Sequence, residues 1–482
     1  MFDSLSNFFN SDAGYNQDIE ELIAVGDIDR VIAKMDARTE KTEAAAKEYN
    51  VRTHKICTDP KRQGKEVKNK KGERIDFVRQ WNEPIPYQPY INEIAVVFLY
   101  GQPVKWGCNT ADTDNAFGAF NDLVKHTRFN SKVRQMKRMA GAYTQSAMLF
   151  RVFRDRKGNP DCQIRVLCHE KGDRIYSRWD QYENLMCAAW GYDVTEGNET
   201  VEHLDIFLPD MIYHCKRTDR GWDIAPEENK IGKIPLILCR QEKEWAGVET
   251  QIEREEYIIS RTADTNDYFA DPQQVMNADI IKNMPDKESA NKTLIVKGEG
   301  VDATKAAAYL TWDSAPESKK MEVEWLQNHI LSKTFTPNID FENMKSLSNV
   351  TGKALKQMMV LANVKAKRHM EQHDELMDRA SSLMKAIIGN VLNVSLKAEC
   401  ERMIITHEFQ DPFGEDISEA IDTLIKATDG GILSKESGVE QSPLTKDAQT
   451  EKERLEKETE SAAAAQRDIF AQQGFLDNGT AE

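Results

Sequence analysis

The sequence lacks a long apolar segment. Its longest uninterrupted apolar run, IAVVFLY at residues 94–100, is far shorter than the roughly 18 to 20 residues that a membrane-spanning helix requires. The first ten residues, MFDSLSNFFN, also lack the basic start and apolar centre of a signal peptide. Both absences favour a chain that works without a membrane. With 482 residues, 40% of them hydrophobic, the chain can build a sizeable core.

Paired cysteines are also missing. The eight cysteines are scattered and none lies in a CxxC motif, which predicts reduced thiols of an intracellular protein. One alternative is a zinc site built from Cys168, His169, His214 and Cys215. Because adjacent residues on a strand point to opposite faces, neither pair converges easily on one ion. The favoured interpretation is four ordinary buried or surface residues, and we expect no metal.

Positive charge is in short supply. The chain has 64 Lys and Arg against 80 Asp and Glu, a net charge of −16. This balance argues against a free nucleic-acid-binding protein, because phosphates need cationic partners. A basic stretch at 61–74, KRQGKEVKNKKGER, has no interleaved aromatic residues, so a solvated loop or hairpin is favoured there over a nucleic-acid patch.

One segment departs from the acidic balance. Between residues 343 and 370 every charged residue is basic, namely Lys345, Lys353, Lys356, Lys365, Lys367 and Arg368. Two interpretations stay open: the charges solvate a helix surface, or the segment meets a polyanion.

Catalytic motifs are absent as well. The stretch SLSNVTGKALKQMM, residues 346–359, has the Gly-Lys pair of a phosphate-binding loop. Such a loop needs a glycine five residues before that pair and a hydroxyl directly after the lysine, and Leu347 and Ala354 occupy those positions. We therefore predict that the chain does not hydrolyse nucleotides.

Other candidate sites fail in a similar way. His369 and His373 are four residues apart, as zinc ligands often are, but Glu371 does not fit the HExxH order. Their position on an apolar helix stripe favours contacts between helices. The DTDN string at 112–115 lacks the glycine and distal glutamate of a calcium loop, and no GxSxG occurs. These absences predict a protein that is not an enzyme and carries no cofactor.

The predicted elements define an α+β chain. Helical patterns cover 17–48 and the apolar stretch that ends at Gly101, and short alternating runs predict antiparallel strands over 141–240. Further predicted elements are helices at 248–270 and 314–335, a strand (KTLIVKG) between them, a strand at 400–413 and a small C-terminal helical unit. The longest helix is predicted from 352 to 393, a rod of roughly 60 Å. Its stripe contains Leu355, Met359, Ala362, Ala366, Leu376, Ala380, Leu383 and Ile387.

The order of these elements and several local strings resemble the portal proteins of tailed bacteriophages, specifically the SPP1-type family. YGQPVKW follows the apolar helix, KIPLI ends the strand-rich section and NDYFAD lies in the helix at 248–270. SNVTGKALK resembles the signature that opens the family's longest helix, and GGILSKESG with SPLTKDAQTEKERLEKE resembles its crown. The resemblance covers about residues 40–460. It departs from the family pattern near Pro412 and at the basic 61–74 segment.

The resemblance implies a portal fold with named parts. These are N-terminal helices and a strand-rich wing (1–247), a stem helix (248–270), a clip (271–312), a second stem helix (313–335), a tunnel loop (336–351), a long helix (352–393), a wing return strand (394–415), a helical crown (416–470) and a flexible tail (471–482).

The resemblance also implies a function. Twelve copies would form a ring at one capsid vertex, through which double-stranded DNA passes without sequence-specific contacts. The implied DNA contacts of the tunnel loop and long helix are Lys345, Ser346, Asn349, Lys353 and Lys356. The implied clip residues are Val275, Met276, Ile280 and Ile281, which would dock the large terminase subunit and later the head–tail adaptor. Major capsid and scaffolding proteins are further implied partners, in a virion assembled in the host cytoplasm.

Simple physics is compatible with this role. A ring closes when a head-to-tail interface repeats, so each subunit needs two unlike faces. An acidic subunit also lets a duplex slide, because few phosphate contacts hold it in place.

Two other classes of protein stay open. A packaging enzyme such as terminase needs the phosphate loop that is absent here, and a head–tail adaptor or minor head protein is usually shorter and lacks the paired helices and the rod.

Overall fold

The computed structural model describes most of the chain. The described residues are 11–68, 72–197, 199–270, 274–276, 307–309, 316–338, 359–412, 417–442, 444–445, 451–452, 454–455 and 457–458. They form two compact units: a large one that extends to Gln410, and a small helical one that begins at Asp411. Among the described residues, no helix combines the length and apolarity needed to span a bilayer.

Helices and strands are both well represented. The helices are α1 (Ser11–Val25), α2 (Ile28–Ala33), α3 (Thr39–Tyr49), α4 (Lys55–Thr58), α5 (Tyr87–Tyr100), α6 (Asp114–His126), α7 (Phe129–Tyr143), α8 (Glu249–Ala270), α9 (Pro316–Lys333), α10 (Val360–Ile387), α11 (Lys397–Arg402), α12 (Ile417–Asp429) and α13 (Lys435–Gln441). The strands are β1 (Lys65–Lys68), β2 (Arg74–Val78), β3 (Lys105–Cys108), β4 (Gln145–Arg154), β5 (Pro160–Leu167), β6 (Arg174–Trp179), β7 (Leu185–Glu196), β8 (Glu199–Phe207), β9 (Met211–Thr218), β10 (Gly221–Glu228), β11 (Leu236–Arg240), β12 (Gln274–Met276), β13 (Ala307–Tyr309) and β14 (Ile405–Glu408).

Two antiparallel sheets form the centre of the large unit. One has five strands in the order β10-β9-β8-β7-β6, and the other has three in the order β11-β4-β5. Because successive strand residues point to opposite faces, Ala147 and Leu149 pack against the five-stranded sheet while Met148 and Phe150 pack against helices. The outer face of the five-stranded sheet is covered by α1 and α2. The large unit therefore has four layers: helices α1 and α2, the five-stranded sheet, the three-stranded sheet, and a second set of helices.

The largest core lies between the three-stranded sheet and helices α5, α6, α7 and α10. Leu99, Phe120, Met136 and Leu383 are buried there, one from each helix. Full burial of such a side chain stabilises the fold by about 1.5–3 kcal/mol. The long helix α10 is therefore part of the body of the large unit over its C-terminal half.

Several predicted elements are confirmed. Strands occupy most of residues 145–240, and the apolar helix ends at Gly101. Within the described part of the basic 61–74 segment, Lys65–Lys68 pair with the strand that begins at Arg74. The two helices predicted around the clip are α8 and α9, and the small C-terminal helical unit contains α12 and α13. The strand predicted from KTLIVKG lies outside the described residues.

Three regions differ from the prediction. Residues 17–48 contain three helices rather than one, because Gly26 turns the chain with a φ of 84° and Asp27 then caps α2. Two helices, α6 and α7, occupy a region for which the sequence pattern predicted no element. The strand predicted at 400–413 is restricted to Ile405–Glu408, because the preceding residues form α11 and bury Cys400 against the end of α10.

The long helix is described from Val360 onwards and ends close to the predicted residue 393, while residues 352–358 of the predicted range lie outside the described residues. α10 has 28 residues, a length of about 42 Å, and continues as a wider π turn at Ile388–Leu392. Its buried stripe includes Ala362, Ala366, His373, Met377, Ala380, Leu383 and Ile387, which confirms most of the predicted pattern. Leu376 is only half-buried, and Leu355 lies outside the described residues.

The eight cysteines form no disulfide, and six of them are buried. Burial raises the pKa of the Cys162, Cys187 and Cys215 thiols to about 12. These thiols therefore stay protonated and behave as small apolar side chains of the core.

Candidate functional site

The predicted DNA-contacting residues, Lys345, Ser346, Asn349, Lys353 and Lys356, lie outside the described residues. Both ends of the segment that contains them are described. α9 and the turn after it lead into residues 339–358, and α10 leads out of them. These two anchors therefore define the candidate site.

The upstream anchor follows the last turn of α9. The hydroxyls of Thr334 and Thr336 are buried and lie 3.0 Å apart, while Phe335 between them takes a left-handed φ of 55°. The Tyr90 hydroxyl of α5 donates a hydrogen bond to the carbonyl of Pro337 (2.8 Å). The direction in which the chain leaves α9 is thus fixed by contacts with the body.

The downstream anchor is the first part of α10. Met359, Ala362 and Ala366 pack on Phe98 of α5 and form a small apolar cluster. Because two of these side chains are alanines, the two helices lie close together. The chain that leaves the 339–358 segment therefore rests on α5, as does the chain that enters it.

Glu244 ties α10 to the body through charge. It lies in the linker after β11, its side chain is 1% exposed, and it forms an ion pair with Lys137 of α7. From α10, Lys365 Nζ lies 2.8 Å from its Oε2 and His369 Nε2 lies 3.2 Å from the same oxygen. Gln241 donates a further hydrogen bond to Oε1 (2.7 Å). One carboxylate therefore joins the linker, α7 and α10.

The protonation states of this cluster follow from burial and charge. Burial alone would raise the pKa of Glu244, but Lys137, His369 and Lys365 outweigh it and hold that pKa well below its usual range. Burial lowers the pKa of His369 and of Lys365. Glu244 is accordingly an anion and His369 is neutral near pH 7. Removing one partner of the ion pairs that Glu244 forms lowers the stability of the fold, because the charge that stays behind is buried and has neither water nor a partner.

His373 makes a different contact one turn further along α10. Its ring is fully buried, and Nδ1 lies 2.7 Å from the hydroxyl of Tyr100. Burial keeps the pKa of His373 well below its ordinary value, so the ring is neutral. His373 therefore contacts a neighbouring helix, as predicted, whereas His369 contacts the linker that carries Glu244.

These contacts separate the described cations of the basic segment at 343–370 into one buried residue and two exposed residues. Lys365 is committed to Glu244, whereas Lys367 and Arg368 are exposed. A cleft of about 470 Å³ next to them is lined by residues of the Glu244 linker, the end of α9 and α10. Within the described part of the segment, Lys367 and Arg368 are the cations that face solvent.

α8 and α9 pack side by side through polar contacts as well as a small apolar cluster. Arg254 Nε donates to Glu322 Oε1 (3.0 Å), and Gln327 Nε2 donates to Glu255 Oε1 (3.0 Å). Burial raises the pKa of Glu255. Ile330 of α9 joins an apolar cluster that also contains residues of α3, α5 and α8.

The predicted clip is described only in part. Val275 pairs with Ala308 and Met276 with Ala307, in the short antiparallel pair of β12 and β13. The chain leaving α8 and the chain entering α9 therefore run together as a ribbon. The other two predicted clip residues, Ile280 and Ile281, lie outside the described residues.

The candidate metal sites are not formed. His214 contacts Asp205 (2.7 Å) and Glu227 (3.1 Å), while Cys168 and Cys215 are buried in the fold. No group of three or more potential metal ligands comes together in the part of the chain that the structure describes. The DTDN string forms the start of α6, where Asp112 has a left-handed φ of 55°.

Comparison with known proteins assigns the class. The sequence matches the family described as phage portal protein, SPP1 Gp6-like, over residues 28–465, and the chain belongs to that family. Its function is that of a phage portal, a structural connector at the capsid vertex, and the family is non-catalytic. A search of curated proteins found no match.

A solved structure of the neck of an empty GTA particle, computed with C6 symmetry, contains a similar chain. The two chains are 8% identical and align with a TM-score of 0.40, over 74% of this chain and 89% of the other.

Proposed function

We propose that twelve copies of this chain close into a ring, and that double-stranded DNA enters and leaves the capsid through the central hole. The observation that carries the proposal is the family match over residues 28–465. Family membership supports a conduit, and the absence of a recognisable catalytic motif in the sequence is compatible with a part that guides DNA without cutting it.

The contact with DNA falls to the segment between the two anchors. Lys345, Lys353 and Lys356 are the proposed phosphate contacts, with Ser346 and Asn349 beside them in sequence. Such contacts position a duplex without reading its sequence. A subunit with a net charge of −16 otherwise repels DNA, so the duplex is touched at few points and slides. The exposed Lys367 and Arg368 on α10 support a cationic surface close to the same segment.

The clip is the proposed docking site for other components. It lies between α8 and α9 in sequence, and the ribbon of β12 and β13 carries Val275 and Met276. We assign Val275, Met276, Ile280 and Ile281 to contacts with the large terminase subunit during packaging and with the head–tail adaptor afterwards. Major capsid and scaffolding proteins are proposed to surround the ring during assembly in the host cytoplasm.

Electron microscopy of the purified full-length chain tests the proposal. We expect closed rings with a central hole, and class averages that show twelvefold symmetry. Mass measurement in solution gives the number of copies independently. A chain that stays monomeric at high protein concentration, or that forms compact particles without a hole, would contradict the proposed conduit.

A further inference from the structure

Helix α8 is held to its surroundings in two different ways along its length. At its start, Val248 and Ile252 lie in the apolar cluster that also contains Ile330 of α9. Beyond that cluster, the buried side chains between residues 253 and 267 are Glu255, Glu256, Ile258 and Ser260. Three of these four are polar, so the position of this part of α8 depends on hydrogen bonds and charge.

One side of α8 binds segments of the chain that lie before α5. The residues on this side are Glu256, Ser260 and Asp264, four residues apart. Their partners are the side chain of His54 and the main-chain nitrogens of Ile85, Glu83 and Trp81. Among the side chains in these contacts, His54 is the one whose ordinary pKa lies near neutral pH. The contact of His54 with Glu256 is therefore the one that a moderate change of pH can alter.

Both ring nitrogens of His54 face hydrogen-bond acceptors. Nδ1 lies 2.6 Å from Glu256 Oε1, and Nε2 lies 2.7 Å from the main-chain carbonyl oxygen of Glu48. A carbonyl oxygen can only accept, and Glu256 Oε1 already accepts a hydrogen bond from the main-chain nitrogen of Ile85 (2.9 Å). Both ring nitrogens of His54 therefore donate. An imidazole that donates from both nitrogens carries two protons and a positive charge.

The charged pair of His54 and Glu256 is buried. The two side chains are 4% and 1% exposed. Burial alone would lower the pKa of His54, but Glu256, with help from Glu48, outweighs it and raises that pKa above its ordinary value. Loss of the second proton would leave the buried carboxylate of Glu256 without a cation, which is destabilising.

The titratable groups next to the pair are neutral near pH 7 or acidic. Burial raises the pKa of Glu255, which accepts a hydrogen bond from Gln327 of α9 (3.0 Å). Burial also raises the pKa of Tyr87 on α5 and of Cys57 on α4, so both stay protonated. The carboxylates of Glu48 and Glu83 add negative charge to the surroundings of the same segment.

Cations on the surrounding elements have other partners. Within the described residues, His54 is the cation that contacts Glu256. The other pairs are Lys55 with Glu253 (2.6 Å), Arg62 with Asp264 (2.6 Å), Lys243 with Glu48 (2.5 Å) and Glu249 (2.8 Å), and Arg254 with Glu322 (2.9 Å).

We propose that His54 is a proton-dependent latch for α8. With two protons, its ring joins Glu256 of α8 to the carbonyl of Glu48 at the end of α3. A ring with one proton donates from one nitrogen only, so one of these two contacts is lost and residues 256–267 open more readily. Because α8 leads in sequence to β12, the latch sets how firmly the chain is held before it enters the ribbon of β12 and β13. The inference concerns the single chain and does not depend on ring assembly.

The direction of the pH effect follows from the raised pKa. Because the pKa of His54 is higher in the folded chain than the ordinary value of 6.5, the contribution of the latch is complete below pH 6.5. It is lost as the pH rises through the folded value. Each unit by which the pKa is raised changes the equilibrium between the closed and open forms about tenfold.

Amide hydrogen exchange of the full-length chain at pH 6 and pH 9 tests the latch, with labelling times scaled for the effect of pH on the exchange chemistry. We expect residues 256–267 to open about tenfold more often at pH 9 for each unit by which the pKa of His54 is raised. The strands β4 and β5 should change less. Exchange of the ring C2 proton of His54, followed by mass spectrometry, measures its pKa directly, and we expect a midpoint above 6.5.

The decisive variant is Glu256→Gln. A glutamine amide has the same shape, can donate to Nδ1 of a neutral His54 and can still accept from Ile85, so we expect the fold to be retained. The extra opening of residues 256–267 at pH 9 should disappear, and the midpoint of His54 should fall below 6.5. The matched control is His126→Gln, which changes an exposed histidine paired with Asp161 (2.8 Å) and should respond to pH as the unmodified chain does.

Three results would overturn the inference. They are equal opening of residues 256–267 at both pH values in the unmodified chain, a midpoint of His54 at or below 6.5 in that chain, and a pH dependence that Glu256→Gln retains. The first two are measured on the unmodified chain, so they decide the question even where the variant does not fold.

Discussion

At the scale of single residues, Glu244 is the side chain that joins the first half of α10 to α7 and to the linker after β11. Its buried carboxylate receives Lys137 from α7 and both Lys365 and His369 from α10. Gly141 of α7 lies against Asn92 and Glu244, and a β-carbon there would clash with the side chain of Asn92 and press on that of Glu244. The start of α10 is thus held by one carboxylate that the helix itself does not supply.

Substitution Glu244→Gln should destabilise the large unit by about 3–5 kcal/mol, because it leaves buried cations without their anion. The free energy of unfolding in urea measures the loss. Hydrogen exchange should show faster opening of residues 359–372 than of the strands β4 and β5.

Two variants control for this substitution. Glu242→Gln makes the same chemical change two residues away at an exposed position, and should cost little. Adding Lys137→Met to Glu244→Gln should recover part of the stability, since one unpaired charge is removed with its partner. Equal losses for Glu242→Gln and Glu244→Gln would contradict the role of the buried cluster.

The sequence predicted half of this arrangement. The helical spacing of His369 and His373 indicated that both face neighbouring structure, and both do. Their partners, Glu244 and Tyr100, are 125 and 273 residues distant along the chain. Nothing in the local pattern distinguishes Glu244 from Glu242, since only the fold decides which carboxylate is buried. For the same reason the sequence does not separate Lys365, which is paired with Glu244, from the exposed Lys367 and Arg368.

At the scale of elements, His214 connects three strands of the five-stranded sheet. It lies on β9, with Nδ1 2.7 Å from Asp205 of β8 and Nε2 3.1 Å from Glu227 of β10. The hydrogen bond to Asp205 is the main cause that raises the pKa of His214 to about 9. At pH 7 the imidazole is therefore a cation that crosslinks two acidic neighbours.

The raised pKa gives the sheet a defined pH dependence. Because the pKa is higher in the folded chain than the unfolded value of about 6.5, the contribution of His214 is complete below pH 6.5 and is lost as the pH rises through about 9. Solvent screening of this half-exposed pair keeps the gain below about 1 kcal/mol. We expect the thermal midpoint of the unmodified chain to exceed that of His214→Gln at pH 6 and to equal it at pH 10. A difference that is constant with pH would contradict this mechanism.

Helices and strands were predicted correctly where the apolar residues of the sequence followed one clear periodicity. The alternation of the 141–240 region and the stripe of α10 both specify one buried face, and both are found. Short apolar segments were ambiguous. Residues 400–402, at the start of the predicted strand, suit a strand or a helix equally, and the packing of Cys400 beneath α10 selects the helix α11 for them. The single helix predicted at 17–48 is interrupted at Gly26 and Asp27, because the chain turns at Gly26 and Asp27 caps the next helix, α2.

At the scale of the whole molecule, charge is distributed unevenly. The chain carries −16 overall, yet every charged residue between 343 and 370 is basic. In a ring, twelve such segments would gather on the same level of one passage. The proposed conduit therefore combines acidic subunits with a narrow band of cations, which is an arrangement that contacts a polyanion without retaining it.

The double substitution Lys345→Glu and Lys353→Glu tests this band. It reverses two charges in each subunit within the segment between α9 and α10, away from the buried contacts of both anchors, so we expect rings to assemble normally. DNA moving past acidic side chains would lose its phosphate contacts, and the amount of packaged DNA should fall severalfold. The measurement is nuclease-protected DNA per particle in a packaging reaction.

The control is the double substitution Lys157→Glu with Lys230→Glu, at two exposed lysines of the strand-rich region. It makes the same change in net charge and should leave packaging unaltered. An equal reduction in both double variants would show that total charge, rather than the position of these lysines, governs the passage of DNA. Normal packaging by Lys345→Glu with Lys353→Glu would contradict the proposed phosphate contacts.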